Sequence, residues 1–253
     1  MDLEGIIAED AQLAADLARA AGHLLISVRD CMLLKGKALG HAGDHTANAF
    51  LMAALRHQRP EDGILSEESK DTPERLTKDR VWIIDPVDGT REYGETRKDW
   101  AVHVALAVNG VPVLGAVGLP GEDVVVRSDK PCPPPAAHDR PRMVVSRSRP
   151  SPETMGVAKA LDAELIPMGS AGAKAMAVVR GQADIYLHAG GQYEWDSCAP
   201  AAVALAHGLH ASRMDGSPLV YNQPNTWMPD LLICRQEYAE MVLKAVRELG
   251  EEG

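Results

Sequence analysis

The 253 residues carry a formal net charge of −10, with 45% hydrophobic and 25% charged side chains, enough apolar content for one large core or two closely joined ones. The negative excess argues against wrapping a nucleic-acid backbone, which depends on Lys and Arg neutralising phosphates, while a small phosphorylated ligand held through metal stays compatible. The first ten residues, MDLEGIIAED, are acidic where a signal peptide is basic, and no apolar run approaches the ~18 residues of a membrane span. The four cysteines, Cys31, Cys132, Cys198 and Cys234, lie far apart without paired spacing, so free thiols are expected. These features predict a cytoplasmic protein with neither nucleic acid nor membrane as partner.

In chain order, Leu3, Ile6, Ile7, Leu13, Leu17, Leu24, Leu25 and Val28 recur at helical spacing, so residues 3 to 29 are expected to form a packed helix. Residues 30 to 43 lose the period and gain Gly36, Gly40 and Gly43, which predicts a mobile glycine-rich loop able to fold over a site. Asp44 is expected to cap a second helix, Ala47 to Arg59. A short strand, Gly63 to Leu65, runs into Ser66-Glu67-Glu68-Ser69, and residues 70 to 80 read as a charged surface loop.

Val81 to Ile84 is the continuous apolar run of a strand covered on both faces. It ends in Asp85-Pro86-Val87-Asp88-Gly89-Thr90. Asp85 falls at the carboxyl end of the strand, where α/β sheets open to ligands. Pro86 is expected to force a turn, so that Asp85, Asp88 and the Val87 carbonyl converge on one point; three hard oxygens there suit Mg²⁺. Gly89 admits a conformation closed to other residues and leaves its amide and that of Thr90 free to meet a phosphate.

Trp100 to Val108, Pro112 to Leu119 and Val124 to Arg127 follow as strands of an antiparallel meander. His103, within the first of them, reads as a packed or face-exposed side chain outside the site. The prolines of residues 130 to 141 mark a linker. It would join an N-terminal α+β half, 1–130, bearing the Asp85–Thr90 turn, to a C-terminal α/β half, 142–253, bearing Asp196 and the substrate-recognition segments. In the second half, strands 143–145, 164–166, 183–187 and 231–234 alternate with helices 152–161, 173–180, 196–207 and 237–249, which predicts helices on both faces of a sheet.

Alone, Asp-Pro-Val-Asp-Gly fits an ordinary turn. With Ser66-Glu67-Glu68 behind Ile64 and Leu65, and Glu194-Trp195-Asp196 before an alanine-rich helix, the chain resembles the inositol monophosphatase family of Mg²⁺-dependent, lithium-sensitive phosphatases over almost its whole length. Within that family it is similar to the bacterial 3′(2′),5′-bisphosphate nucleotidases. The resemblance implies the alternating α/β/α/β/α sandwich shared with fructose bisphosphatases. It implies two to three Mg²⁺ ions. Asp85 would bridge two of them, with Glu67 and the Val87 carbonyl completing one and Asp88 with Asp196 the other, and Glu68 in support. The attacking water would be oriented by Thr90 and Asp44, with Glu67 assisting through a weakly held third ion. The family's motif carries Thr where His41 stands here.

The resemblance extends to substrate recognition. Ser146-Arg147-Ser148-Arg149 is similar to a nucleotidase Ser-Arg-Ser-His segment, and Gly169 to Lys174, including Ser170, is similar to their Gly-Ser-Ser-Leu-Lys, one residue longer. Arg149 and Lys174 could hold a second phosphate, with His188 standing where the relatives have Arg. Gly190, Gly191 and Tyr193 could shape an adenosine pocket, though a plain turn explains them equally well, and Asp88, Gly89, Thr90 and Asp196 would also face the substrate. The reaction implied is hydrolysis of the 3′-phosphate of 3′-phosphoadenosine 5′-phosphate, and of its 5′-phosphosulfate, to AMP-type products and phosphate. Inositol monophosphatase or fructose 1,6-bisphosphatase activity with the same metals is the alternative. The intact set Glu67, Asp85, Asp88 and Asp196 speaks against a non-catalytic phosphate-binding regulator. A homodimer is compatible with the resemblance.

Overall fold

The structure, a computed structural model, describes residues 3–251. Two long helices, α1 (Leu3–Asp30) and α2 (Gly36–Gln58), precede a sheet of β1 (Gly63–Ser66), β2 (Arg80–Asp88), β3 (Ala101–Val108), β4 (Val111–Leu119) and β5 (Val124–Arg127), with a one-turn helix α3 (Thr90–Gly94) after β2. These five strands lie in sequence order; β1 is parallel to β2 and the rest form the expected antiparallel meander.

The second half contains β6 (Arg142–Ser146), α4 (Pro152–Ala160), β7 (Glu164–Met168), α5 (Ala171–Val179), β8 (Ile185–Tyr193), α6 (Glu194–Ala206), β9 (His210–Ser212), β10 (Trp227–Cys234) and α7 (Gln236–Glu251). Its sheet has the order β7-β6-β8-β10-β9 and is mixed: β6 runs parallel to β7 and β8, while β10 is antiparallel to β8 and β9.

Strand alternation divides the apolar side chains into three layers of core. On β2, Trp82 and Ile84 pack under α1 and α2 with Leu25, Leu51 and Val104. Val81 and Ile83 face the other way, into a middle layer with Met176, Val178, Cys198 and Val203 of α5 and α6, and with Val144, Tyr186 and Ile233 of the second sheet. Met143, Leu187 and Leu232 point outward under α4 and α7, against Val157 and Val242. The result is the α/β/α/β/α sandwich, with a middle core drawn from both halves of the chain.

Several local expectations are corrected. Of the loop expected over residues 30 to 43, only 31–35 lie between the helices; residues 36–43 are the first part of α2, which begins at Gly36, so Asp44 lies inside a helix and caps nothing. Its glycines serve close approach: a Cβ on Gly40 would sit 2.7 Å from Thr90 Cγ2, and one on Gly43 2.6 Å from Tyr93 Cε1. Each glycine costs a helix about 1 kcal/mol relative to Ala, and here that cost brings α2 against α3. Pro86 does not end its strand; β2 continues to Asp88 through a register shift against β3 between Asp85 and Asp88. A bulge accommodates the missing N–H and re-aims both carboxylates.

The charged loop holds a 3₁₀ turn, Pro73–Thr77, in which Arg75 is 2% exposed and bonds both Asp71 oxygens and Asn222. Helices α5 and α6 start two residues earlier than expected, at Ala171 and Glu194, and β8 continues through Gly190 and Gly191 to Tyr193. The proline segment is irregular but fastened down: Arg235 Nη1 donates to the Pro135 carbonyl at 2.5 Å, and His138 Nδ1 lies 2.9 Å from an oxygen of the fully buried Asp184. All four cysteines are free, Cys198 and Cys234 buried and Cys31 and Cys132 exposed.

Candidate active site

The site forms where the carboxyl end of β2 meets the amino ends of α5 and α6. Asp85 is 1% exposed and turns one carboxylate oxygen onto the Val87 amide at 3.0 Å. Because β1 runs parallel beside β2, the Glu67 amide reaches the Ile84 carbonyl at 3.4 Å, which sets Glu67 at the same sheet edge. Asn48 of α2 steadies that edge, accepting from Ser66 Oγ at 2.8 Å and donating to Ser69 Oγ at 3.1 Å and the Glu68 carbonyl at 3.4 Å. Asp196 arrives from the first turn of α6, held by the Tyr193 amide, which donates to its Oδ2 at 2.6 Å.

Asp85, Asp88 and Asp196 each offer an oxygen within 4.8 Å of the others. Crowded like charges resist ionisation. Burial and the charges of Glu67, Asp88 and Asp196 push the Asp85 pKa well above the usual carboxylate range. Burial and Asp88 push Asp196 up to about 6, and lost hydration with the Asp196 charge pushes Glu67, exposed at its outer side, up to about 7. A hard, oxygen-only donor set that repels itself fits a divalent cation, which would relieve the crowding without protonating it.

Asp88 differs from its neighbours. It accepts from Ser170 Oγ at 2.6 Å, Ala171 N at 3.0 Å and Gly172 N at 2.5 Å, so it closes the N-terminus of α5. His103, which the sequence reading left outside the site, is fully buried with Nε2 3.2 Å from Asp88 Oδ2 and Nδ1 donating to the Trp195 carbonyl at 2.9 Å. Burial works to raise the Asp88 pKa, but His103, Ser170 and the Gly172 amide outweigh it and hold the carboxyl well below its ordinary value. The same ion pair outweighs burial at His103 and raises its pKa. Ser170 adopts φ +42, a conformation L side chains rarely hold, and its hydroxyl is committed to Asp88 and the Ala173 amide.

On the opposite flank, Thr90 Oγ1 lies 3.1 Å from both Asp44 Oδ1 and the Val87 carbonyl. Burial and the Glu68 charge push Asp44 up to about 6. Gly89 sits at φ +89, where a Cβ would meet that of Ser170 at 2.9 Å, so the turn passes from β2 into α3 with only glycine room between it and α5.

A cavity of about 690 Å³ opens from this cluster and is lined by Glu67, Asp88, Asp196, Lys174, His188 and Arg149, among others. Arg149 is exposed and, among the described residues, makes no ion pair. Lys174 is 6% exposed; its ammonium donates to the carbonyls of Gly169 and Ser170 and lies 5.3 Å from the Tyr186 ring centroid. Burial lowers its pKa and that of His188, whose Nε2 bonds the Gly191 carbonyl at 2.9 Å. Tyr193, Trp195 and Trp227 give the cavity an aromatic lining as well. The sequence reading places His103, a polar residue in an apolar strand, outside the site, and gives no signal for Trp227, a lone aromatic after a loop.

The sequence model of the inositol monophosphatase family matches residues 8–132 and 136–251. A protein of Mycobacterium leprae named 3′-phosphoadenosine 5′-phosphate phosphatase is 48% identical over 257 residues, covering 96% of this chain and 95% of its own. The 3′(2′),5′-bisphosphate nucleotidase CysQ of Escherichia coli is 30% identical over 239 residues, covering 84% and 94%. Among solved structures, CysQ from Bacteroides thetaiotaomicron superposes with a TM-score of 0.80 at 26% identity over 90% of this chain and 97% of that one. Inositol monophosphatase from Anabaena has a TM-score of 0.77 at 22% identity over 96% of both, a likeness of fold. The chain belongs to the inositol monophosphatase family of metal-dependent phosphatases.

Proposed function

We propose that the protein hydrolyses the 3′-phosphate of 3′-phosphoadenosine 5′-phosphate to give AMP and phosphate, and that it accepts the 5′-phosphosulfate analogue. The observation that carries this reading is one cavity joining the carboxylate cluster to Arg149, Lys174 and His188, so that a substrate with one phosphate at the cluster can place a second anion among these groups. The names of the relatives at 48% and 30% identity agree with it. Glu67, Asp85, the Val87 carbonyl, Asp88 and Asp196 would hold two to three Mg²⁺ ions. Bound there, Mg²⁺ would supply charge neutralisation of the phosphoryl oxygens and a lowered pKa for water.

The chain's own groups do the rest. Thr90 has one hydroxyl hydrogen, directed at Asp44 or Val87, which leaves its oxygen lone pairs to accept from an attacking water and fix its line of approach. Asp44, with its raised pKa, is suited to accept a proton passed through Thr90. The amides of Gly89 and Thr90 receive the reacting phosphate, and Arg149 and Lys174 position the anion that is not cleaved. Sulfur-nucleotide recycling in the cytoplasm is the setting proposed.

Phosphate release from 3′-phosphoadenosine 5′-phosphate, inositol 1-phosphate and fructose 1,6-bisphosphate tests the reading. The adenosine bisphosphate should have the highest kcat/KM, with activity lost in EDTA, restored by Mg²⁺ and inhibited by Li⁺. Full activity in EDTA would end the metal assignment. A higher kcat/KM on either sugar phosphate would replace the nucleotide assignment with the alternative.

A further inference from the structure

The cavity has two unlike linings: the carboxylate cluster, and an aromatic wall of Tyr193, Trp195 and Trp227 that starts beside Asp196, whose carboxylate the Tyr193 amide holds. Tyr193 and Trp195 are stacked, with ring centroids 4.8 Å apart and an interplanar angle of 11°. Tyr193 and Trp227 are direct cross-strand partners on β8 and β10, so their side chains leave the same face of the pair. Backbone geometry fixes what Trp227 presents. At Gly191, φ is +92 and a Cβ would lie 2.7 Å from Trp227 Nε1 and 3.0 Å from Cε2 and Cζ2. One edge of the indole is therefore braced against bare backbone, a position open only to glycine. Gly190 beside it, at φ +108, would meet nothing within 4 Å if it carried a Cβ, which keeps the approach clear.

Trp227 nevertheless remains 48% exposed. A large aromatic ring braced along one edge and with about half of its surface open, inside a cavity that also holds acidic and basic groups, is the arrangement that receives a flat ring. Phosphate and sugar hydroxyls have no use for it. We propose that Trp227, braced by Gly191, is the stacking platform for the purine base and the residue that separates nucleoside bisphosphates from sugar and polyol phosphates. The inference rests on the nucleotide reading above and adds the group that reads the base. Stacking depends on a π-face and not on a hydrogen-bond pattern, so adenine and other purines should be accepted alike.

The test compares wild type, Trp227→Ala and Trp227→Phe on 3′-phosphoadenosine 5′-phosphate and on the abasic 1-deoxyribose 3,5-bisphosphate, with circular dichroism to establish folding and calorimetry of AMP binding. Trp227→Ala should raise KM for the adenosine substrate and Kd for AMP by roughly 5- to 100-fold. KM for the abasic substrate should stay the same, and Trp227→Phe should recover most of the loss. An unchanged adenosine KM in a folded Trp227→Ala variant, or an equal rise on both substrates, would overturn the platform and leave the bisphosphate reading standing. A wild-type enzyme that cleaves neither bisphosphate would overturn that reading, and the platform with it.

Discussion

Gly40→Ala isolates the Thr90–Asp44 pair without touching either residue. The new methyl would lie 2.7 Å from Thr90 Cγ2, about 0.7 Å inside the 3.4 Å at which ordinary contact begins. Thr90 must move by most of that distance, and its hydroxyl, now 3.1 Å from both Asp44 and the Val87 carbonyl, leaves hydrogen-bonding range of at least one. A displacement approaching 1 Å in a positioning group costs on the order of 10²-fold in rate, while Ala stabilises the helix by about 1 kcal/mol over Gly. The variant should therefore stay folded, the helix gain offsetting part of a clash that costs roughly 1–3 kcal/mol, and lose most of its kcat with little change in KM. Thr90→Ser removes Cγ2, the atom that clashes, and keeps the hydroxyl, so the double variant should recover most of the activity lost by Gly40→Ala alone. Full activity in Gly40→Ala would refute the reasoning. So would a double variant no faster than the single one.

Asp88→Asn should lower kcat by orders of magnitude in a folded protein, since it removes charge from the cluster without removing core volume; circular dichroism and phosphate release check both parts. Arg149→Ala should raise KM for the adenosine bisphosphate by roughly 10- to 100-fold, from a charge-assisted contact of ~1.5–3 kcal/mol, and should scarcely alter KM for inositol 1-phosphate. Lys174→Ala should lower kcat as well, because the buried ammonium also fastens the Gly169–Ser170 carbonyls beside Asp88. In metal-stripped protein, Asp44 and Asp196 (pKa about 6, ordinarily 3.8) and Glu67 (about 7, ordinarily 4.5) bind protons more tightly folded than unfolded, so stability should fall as pH rises from about 4 to 7. Thermal melts across that range should show the fall, and Mg²⁺ should raise the melting temperature more at pH 7.5 than at pH 5.

Local signals made much of the fold legible. The run Val81 to Ile84, the hairpin turns of the meander and the alternation after residue 142 each follow from periodicity, and the Asp85–Thr90 segment stands out because two carboxylates follow a buried strand at once. What was not legible depends on distant neighbours. Gly36, Gly40 and Gly43 read as a loop because glycine disfavours helix; in the fold Gly40 and Gly43 allow α2 to press against Thr90 and Tyr93, and Gly94 gives room to the Gly36 carbonyl, facts held by residues fifty and more positions away. Pro86 reads as a strand end, yet the pairing with β3 continues past it. His103 lies in an apolar strand with nothing nearby to mark it, and it becomes significant only because the strand pairing and α6 bring Asp88 and the Trp195 carbonyl to its two nitrogens. Lys174 reads as a cation for a second phosphate and proves to be buried, with its ammonium bonded to the Gly169 and Ser170 carbonyls.

Asp85 and Asp88 stand on the first sheet, whereas Asp196 stands on a helix of the second half packed between the two sheets. A cation held among them, as proposed above, would be a rivet through the sandwich, resisting any sliding of one layer past the other. Affinity for the ion and rigidity of the seam would then be one property. Stripping the ion should leave the outer helices α4 and α7 as protected from hydrogen exchange as before, while the end of β2 and the first turn of α6 open together.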